Sequence, residues 1–458
     1  MAQLPDAFIR RTADLLGQER GHALCEALNG VAPVSVRLNP IKPHDGLFAN
    51  AEQVPWCTHG RYLESRPAFT ADPLLHAGCY YVQEAASMFV EQAFKTIDET
   101  PTRVLDLCAA PGGKSTLWRS LLPYGCLLVA NEPVRQRTMV LAENLTKWGH
   151  PDVVVTQSYP ADFAPLGGLF DIVAADVPCS GEGMFRKDEG ARDEWSVEAV
   201  AQCAARQRQI VRDVWPALRQ GGWLVYSTCT FNREENEDNI DYICRELGAE
   251  CVPVAFDATW AIDGDQTGRG LPVCHFFPDR ARGEGFFLAL LRKTAETDLP
   301  RRVKDRRRSV KDTPPAGVRQ VTPWLKDSRP YKILQRPDGG LYAVREALAE
   351  AIGRIQACAN VIQAGVDLAE PKGNKLVPAH AIALSTALSD EAFPRTDLDR
   401  TQALAYLRRE ALVLSPDTPR GYVVACHEGH PLGFVNNLGA RANNAYPAEW
   451  RIRSRHLS

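Results

Sequence analysis

The sequence predicts an α/β fold in which a mostly parallel, doubly wound sheet forms the centre, and three observations indicate it. Short apolar runs alternate with helical segments from residue 103 to residue 247, a pattern typical of consecutive βαβ units. A glycine-rich turn, residues 108–113, separates the first run from the first helix. Two later runs are each followed by a cysteine, Cys179 and Cys229, at the strand ends where ligands of such sheets bind.

The elements ahead of the sheet predict an α+β N-terminal extension, residues 1–78. Apolar residues recur with helical spacing over residues 5–29. Residues 34–39 alternate like a strand, which Pro40 ends. A further helix is predicted across residues 83–96, where the central region begins.

The central region, residues 79–295, is predicted to hold the sheet. Strands are predicted at 104–107, 126–130, 153–156, 170–176 and 222–227, and helices at 113–122, 134–148, 196–218 and 236–247. Residues 273–277 and 285–291 are expected to close the sheet as an antiparallel pair. Residues 296–320 are predicted to be a basic linker. Residues 321–458 then form a separate domain with short strand-like runs such as 421–426.

Composition limits the class of protein. A chain of 458 residues, 45% of them hydrophobic and 24% charged, is expected to fold as a multidomain soluble protein. No apolar run reaches the roughly 18–20 residues of a membrane span, and no secretory signal is recognisable, so a cytoplasmic protein without a membrane partner is expected. The 13 cysteines are irregularly spaced without a C-x2-C pair, which predicts reduced thiols and no metal site.

Charge is balanced overall but not locally. The formal net charge is −3, yet residues 301–311 hold seven basic residues and one acid, and residues 451–456 are also basic. A solvated linker explains the first run about as well as a contact to phosphate does. Bulk charge therefore does not indicate a nucleic-acid partner, whereas these two segments are compatible with one.

The glycine-rich turn indicates a bound cofactor. Adjacent glycines let the backbone approach a ligand, and a helix N-terminus favours its negative groups. The turn ends like a nucleotide triphosphate loop, but Cys108 stands where that loop needs glycine, and the dinucleotide fingerprint is absent. S-adenosylmethionine fits better, because Glu132 at the end of the next strand is placed to bind ribose hydroxyls.

The two cysteines indicate a reaction beside that methyl donor. Carbon 5 of cytosine is a poor nucleophile until a thiolate adds to carbon 6; carbon 5 then takes the methyl group, and elimination frees the thiol. Asp176, three residues before Cys179, can hydrogen-bond the polar edge of cytosine. Either cysteine alone is more often a buried structural thiol. Chemistry by itself does not say which of Cys179 and Cys229 attacks.

Three motifs resemble those of the Nop/Sun family of RNA (cytosine-5)-methyltransferases. They are LDLCAAPGGK at 105–114, DVPCSGEG at 176–183 and STCT at 227–230. SVRLNP at 35–40 and GCYYVQEA at 78–85 are similar to the family's N-terminal region. GFV at 433–435 and RANNAYPAEWR at 441–451 resemble the C-terminal domain of the bacterial RsmF-like branch, which modifies small-subunit rRNA.

The resemblance assigns the roles that chemistry left open. It implies a Rossmann-like methyltransferase core, Cys229 as the nucleophile, and Cys179 as the residue that assists proton removal and product release. It places S-adenosylmethionine against Asp176, Glu132 and the turn residues, which are Cys108, Ala109, Ala110, Pro111, Gly112, Gly113 and Lys114. The family's aspartate after the third strand has no clear match; Asp162 is the candidate, displaced along the loop.

RNA is the expected partner. A cytosine must be single-stranded or flipped to reach such a site. The resemblance implies that residues 321–458 contain a PUA-like RNA-binding domain, in which Arg441 and Arg451 are candidate contacts, and that residues 1–78 also bind RNA. Arg186 and Lys187 are candidates to approach phosphate. Small-subunit (16S) rRNA, free or within a ribosomal subunit, is the predicted substrate of a monomeric enzyme; tRNA, or a non-catalytic RNA-binding ribosome assembly factor, are the alternatives.

Overall fold

The structure is a computed structural model that describes residues 3–297, 314–326, 330–373 and 375–453. The basic run at 301–311, most of the predicted linker and the chain end from 454 lie outside the described residues. No helix in the described ranges is long and apolar enough to cross a membrane.

The N-terminal region is α+β, as predicted. Its elements are α1 (Asp6–Leu16), α2 (Gln18–Ala27), β1 (Val34–Leu38), β2 (Gly60–Leu63), α3 (Pro73–His76), β3 (Tyr80–Val82) and α4 (Val90–Thr96). The three strands form an antiparallel sheet in the order β2-β1-β3. The helical spacing over residues 5–29 corresponds to two helices, because Gly17, with φ 86°, has a left-handed backbone that does not continue a helix. Gly21 then lets α2 pack directly on Ala13 of α1.

The central sheet has the predicted strand and helix order. Its strands are β4 (Arg103–Asp106), β5 (Leu127–Asn131), β6 (Val153–Thr156), β7 (Phe170–Asp176), β8 (Leu218–Thr228), β9 (Ala249–Val252), β10 (Cys274–Phe276) and β11 (Phe286–Lys293). The helices are α5 (Gly113–Leu121), α6 (Arg135–Trp148), α7 (Glu189–Glu194), α8 (Val197–Val214) and α9 (Glu237–Glu246). Strands β8, β7, β4, β5 and β6 are parallel neighbours. Strand β11 pairs antiparallel with β10, as predicted, and also with β8.

Both faces of this sheet are covered, which explains why its strands read as continuous apolar runs. Successive residues of a strand pack against hydrophobic clusters on opposite faces of the sheet. Leu128 and Ala130 of β5 belong to one cluster, and Leu127 and Val129 belong to the other. All five residues of β5 are buried. The polar groups that a ligand can reach therefore lie beyond the strand ends, where the two cysteines and the glycine turn are located.

The region after the linker contributes to the central sheet as well as forming its own. Its elements are α10 (Val318–Val321), β12 (Tyr331–Gln335), β13 (Leu341–Arg345), α11 (Ala349–Cys358), β14 (Val361–Ala364), β15 (Val366–Lys372), β16 (Lys375–Pro378), α12 (His380–Leu384), β17 (Arg395–Asp397), α13 (Arg400–Leu407), β18 (Gly421–His427), β19 (His430–Asn437) and β20 (Ala442–Asn444). Strand β14 pairs antiparallel with β6 and extends the central sheet. Two four-stranded sheets, β12-β13-β15-β16 and β17-β18-β19-β20, complete the described part of the chain.

A buried ion pair fixes this attachment. Arg345 Nε donates to Asp152 Oδ1 at 2.9 Å, and Arg345 Nη2 donates to Asp152 Oδ2 at 3.0 Å. Asp152 is 1% exposed, and its Oδ2 also accepts from the backbone N–H of Gly125 at 2.9 Å. Because each buried charge has a partner, the junction tolerates ionised groups that would otherwise be costly to bury.

Candidate active site

The two cysteines predicted to act together meet at the carboxyl edge of the sheet. Strands β7 and β8 are parallel neighbours, with Asp176 opposite Ser227 at their last paired position. The loops that follow carry Cys179 and Cys229, whose Sγ atoms are 3.1 Å apart. Adjacent parallel strands thus deliver both thiols to one point, where a single ring could contact both.

The contact between the sulfurs distinguishes the two thiols. The hydrogen bond to Cys229, together with burial, raises the pKa of Cys179 well above its usual value. Cys179 therefore keeps its proton near neutral pH, with its sulfur within hydrogen-bond distance of Cys229 Sγ.

Glu182 ties the two cysteine loops together. It follows Cys179 in the first loop and is 2% exposed. Its Oε2 accepts from the hydroxyl of Thr230, from Phe231 N at 2.7 Å and from Asn232 N at 3.1 Å, all in the second loop. Its Oε1 accepts from Trp195 Nε1 at 3.1 Å and from the Asn232 amide at 3.0 Å. The spacing of the thiols therefore depends on a carboxylate that touches neither sulfur in these contacts.

A second buried acid, Glu235, holds the Cys179 loop through hydrogen bonds. Glu235 Oε2 accepts from the backbone N–H of Ser180 at 3.0 Å and from Gln207 Nε2 at 2.7 Å. Gln207 also donates to the carbonyl of Pro178 at 2.9 Å. Both neighbours of Cys179 are therefore held by the protein. Burial raises the pKa of Glu235, opposed by its hydrogen bonds.

Asp176 has a cationic partner from the glycine turn. Lys114 Nζ donates to Asp176 Oδ2 at 2.8 Å, and Ser227 Oγ donates to Oδ1 at 2.7 Å. Burial lowers the pKa of Lys114, but the Asp176 carboxylate outweighs it and raises the pKa overall. Lys114 is therefore charged near neutral pH. The side chain of Asp176 is 32% exposed, so it remains accessible to a ligand at the sheet edge.

The glycine turn has the geometry of a ligand-binding loop. Gly112 has φ 116°, a conformation that favours glycine, and α5 begins at Gly113. Pro111 is exposed and Cys108 and Ala110 are half-buried, whereas Ala109 is buried. A Cβ at either glycine would meet its neighbours only at ordinary van der Waals distance, so the positive φ of Gly112 is what favours glycine in this turn. Backbone N–H groups at a helix start are thus open to an anionic group such as a carboxylate.

Two acids flank this turn from neighbouring strands. Glu132, just after β5, is 2% exposed; its Oε1 accepts from Val134 N at 3.0 Å and its Oε2 lies 3.4 Å from Arg137 Nη1. Asp106, the last residue of β4, accepts from Ser115 Oγ at 2.6 Å. Burial raises the pKa of Asp106 to about 7. The sequence pattern did not single out Asp106, since its position in a strand predicted only burial.

Family models match three parts of the chain. They describe the N-terminal domain of 16S rRNA methyltransferase RsmF at residues 4–85, 16S rRNA methyltransferase RsmB/F at 95–292, and the methyltransferase RsmF PUA domain at 393–452. A ribosomal RNA small subunit methyltransferase F from Erwinia tasmaniensis is 31% identical over 412 residues, which cover 86% of this chain and 84% of that protein. The chain belongs to the RsmF family of 16S rRNA methyltransferases.

Further comparisons agree with this assignment. The methyltransferase F of Pectobacterium atrosepticum is 30% identical over 488 residues and covers 98% of this chain and 96% of that protein. The crystal structure of a methyltransferase homolog protein from Pyrococcus horikoshii matches with a TM-score of 0.54 at 26% identity, covering 63% of this chain and 95% of that one. The predicted family, methyltransferase core and PUA-like C-terminal domain are confirmed.

The remaining candidate residues of this RsmF family member lie in different settings. Asp162 accepts from Tyr159 N at 2.8 Å and caps its own short helix. The Arg186 guanidinium is engaged by Glu284 at 3.0 Å and by the carbonyl of Gly283 at 2.6 Å. The Lys187 ammonium lies 3.5 Å from Glu284 and is one-third exposed. Their roles stay predictions, with Lys187 the more accessible of the two cations.

Arg441 and Arg451 are both exposed, whereas the aromatic residues near them are buried to different extents. Tyr446 is buried, and Trp450 is half-buried with its ring 5.1 Å from that of His380.

Among the described residues, no cluster of histidine, cysteine, aspartate and glutamate could hold a metal ion. Glu182 and Glu235 were missed as supporting residues, because only the fold brings each against the opposite cysteine loop.

Proposed function

We propose that this protein methylates carbon 5 of a cytosine in 16S rRNA, using S-adenosylmethionine, through a covalent adduct between Cys229 and carbon 6 of the base. The observation that carries the proposal is the pair of thiols 3.1 Å apart at the edge of a methyltransferase sheet. Family membership supports the RNA class, since the relatives are named as small-subunit rRNA methyltransferases. Paired thiols are what attack and elimination at cytosine need.

The coupling of the thiols gives each a task. Before reaction, Cys179 donates its proton towards Cys229 Sγ and stabilises the attacking thiolate. When Cys229 Sγ bonds to carbon 6, it ceases to be a good acceptor, and the largest cause of the raised pKa of Cys179 is removed, although burial remains. Cys179 can then release its proton to solvent and, as a thiolate, accept the proton from carbon 5. The carbon 6–sulfur bond breaks as the carbon 5–hydrogen electron pair restores the ring double bond, which frees Cys229.

The residues around the glycine turn fit S-adenosylmethionine, which supplies an electrophilic methyl group when bound. The N–H groups at the start of α5 suit its carboxylate, and Glu132 at the end of β5 suits its ribose hydroxyls. Asp176 lies between this turn and the thiols, held by Lys114 at 2.8 Å. It can therefore contact both the cofactor and the polar edge of cytosine.

Methyl transfer from labelled S-adenosylmethionine to purified RNAs tests the proposal. The full chain is incubated with 16S rRNA, with assembled small subunits and with tRNA, and the modified cytosine is located by bisulfite sequencing. We expect one 16S cytosine to be labelled. Cys229→Ala should abolish the label, whereas Cys244→Ala, a half-buried control on α9, should not. If only tRNA were labelled, tRNA and not 16S rRNA would be the substrate. If Cys229→Ala left the label unchanged, attack by Cys229 would be excluded.

The roles of the two thiols have a separate test. Cys179→Ala should accumulate a protein–RNA adduct that survives a denaturing gel, because attack still occurs while release is blocked. Cys229→Ala and the double variant should give no such species. If instead Cys229→Ala traps the adduct, the two assignments are reversed. If no variant traps RNA and none transfers methyl groups, a non-catalytic RNA-binding role becomes the better explanation.

A further inference from the structure

Asn131 is a buried amide at the end of β5, directly before Glu132. The rest of that strand, residues 127–130, is apolar and belongs to the two hydrophobic clusters of the sheet. The Asn131 side chain is 0% exposed, and no step of the proposed reaction uses it. Because a buried amide is tolerated only when it is hydrogen-bonded, its partners indicate what it does.

Every hydrogen-bonding position of this amide is used. Asn131 Nδ2 donates to the carbonyl of Leu107 at 3.0 Å and to the carbonyl of Ser158 at 3.0 Å. Asn131 Oδ1 accepts from Thr156 Oγ1 at 2.8 Å and from Ser158 N at 3.1 Å. An asparagine amide has two donors and two acceptor lone pairs, so these four bonds satisfy it completely.

The partners of Asn131 lie on two different loops at the carboxyl edge of the sheet. Leu107 leads from β4 into the glycine turn, and Ser158 lies in the loop after β6. Backbone pairing of β5 with β4 ends one residue before Asn131, and pairing with β6 ends at Asn131 itself. Past that point the amide supplies the cross-links that the backbone no longer makes. The Asn131 carbonyl adds another by accepting from Ala109 N in the turn at 2.8 Å.

The loop after β6 is also held by the region that follows the linker. The backbone N–H of Asn360 donates to Ser158 Oγ at 2.9 Å, and the Asn360 carbonyl accepts from Gln157 N at 2.9 Å. Asn360 lies directly ahead of β14, which pairs with β6. Ser158 is therefore fixed between Asn131 on one side and Asn360 on the other.

We infer that Asn131 is a positioning residue for the cofactor, which sets the distance between the glycine turn and the loop after β6 on either side of Glu132. This rests on the proposed use of S-adenosylmethionine. One molecule has to meet the N–H groups of the turn with its carboxylate and Glu132 with its ribose at the same time. Such contacting groups need to be held to within about 0.5 Å by supporting hydrogen bonds. Asn131 has no donor or acceptor left for the cofactor, so it acts through the loops that it joins.

Asn131→Asp tests this role with little change in shape. The new side chain keeps an acceptor for Thr156 Oγ1 and Ser158 N, but it places an oxygen where Nδ2 faced two carbonyls, which pushes the loops apart. The Kd of the full chain for S-adenosylmethionine is measured by isothermal titration calorimetry without RNA. We expect it to rise on the order of tenfold, as when buried hydrogen-bonding groups lose their partners. In methyl transfer, KM for the cofactor should rise while KM for RNA changes little.

Asn437→Asp is the matched control. Asn437 is 4% exposed and lies at the end of β19 in the C-terminal domain. It likewise donates to two carbonyls, those of Thr418 at 2.8 Å and Pro419 at 3.1 Å, and accepts from Gly439 N at 2.9 Å. The same substitution should therefore lower the unfolding temperature by a similar amount and leave the Kd for S-adenosylmethionine unchanged.

Thr156→Val is a milder variant that serves if Asn131→Asp does not fold. It removes only the hydroxyl that donates to Asn131 Oδ1 and should raise the Kd roughly threefold. Wild-type Kd values in the variants that fold would overturn the positioning role. An equal loss of affinity in Asn131→Asp and Asn437→Asp would also overturn it, because general destabilisation would then explain the result. If the wild type itself bound no S-adenosylmethionine, the proposed cofactor would be wrong, and this failure is distinct from the other two.

Discussion

Replacing Glu182 tests whether the spacing of the thiols depends on one buried carboxylate. The acid accepts five hydrogen bonds in the structure, three on Oε2 and two on Oε1. Glu182→Ala leaves Phe231 N–H, Asn232 N–H and Trp195 Nε1 without their acceptor. A buried donor that loses its partner costs about 1–3 kcal/mol. Water can enter the space that alanine leaves, so each of the three donors should cost about 1 kcal/mol. We therefore expect Glu182→Ala to lower the free energy of unfolding by about 3 kcal/mol.

Glu182→Gln is the finer change. The amide keeps one oxygen, but its NH2 group faces at least two donors that the carboxylate satisfied. We expect the free energy of unfolding to fall by about 2 kcal/mol. Because the change loosens the loop after Cys229, kcat should fall more than KM for the cofactor changes. Glu246→Gln, an exposed position on α9, is the matched control.

Thermal unfolding, single-turnover methyl transfer and the adduct assay read out the Glu182 series. We expect Glu182→Gln in a Cys179→Ala background to trap less RNA than Cys179→Ala alone, because Cys229 is no longer held for attack. A variant that unfolds at the wild-type temperature and traps RNA equally fast would refute the reasoning. A variant that is destabilised but fully active would show that Glu182 supports the fold without setting the thiol geometry.

Two further predictions concern buried charges. Arg345→Ala should destabilise the protein by about 3–5 kcal/mol, because it leaves the Asp152 carboxylate buried without its cation; Arg345→Ala/Asp152→Ala should lose less than the sum of the single changes in denaturant unfolding. Burial raises the pKa of Asp106 from 3.8 to about 7, so the folded state binds a proton that the unfolded state releases in this range. The stability contributed by Asp106 is thus present below about pH 4 and lost as pH rises to about 7, and Asp106→Asn should flatten that part of the stability profile; an identical pH slope in the variant would contradict the assignment.

Much of the fold followed from local pattern. Burial on both faces makes parallel strands continuously apolar, so runs such as residues 126–130 identified the central sheet, and strand order fixed which loops share its edge. The helical spacing over 5–29 did not reveal where one helix ends and the next begins, because the left-handed Gly17 interrupts the helix without interrupting the apolar spacing. Strand β14 was not predicted at all, since its pairing with β6 joins segments about two hundred residues apart.

The sequence by itself determined the chemistry available to this protein: two cysteines after two strands, an acid three residues before one of them, and a glycine turn ahead of a helix. Residue types and spacing along neighbouring strands suffice for that, because parallel strands end at a common edge. Only the tertiary structure decided how the thiols differ and what holds them. The 3.1 Å contact of Cys179 and Cys229 and the bonds from Glu182 across the two loops depend on side chains meeting across large sequence separations, which no local pattern encodes.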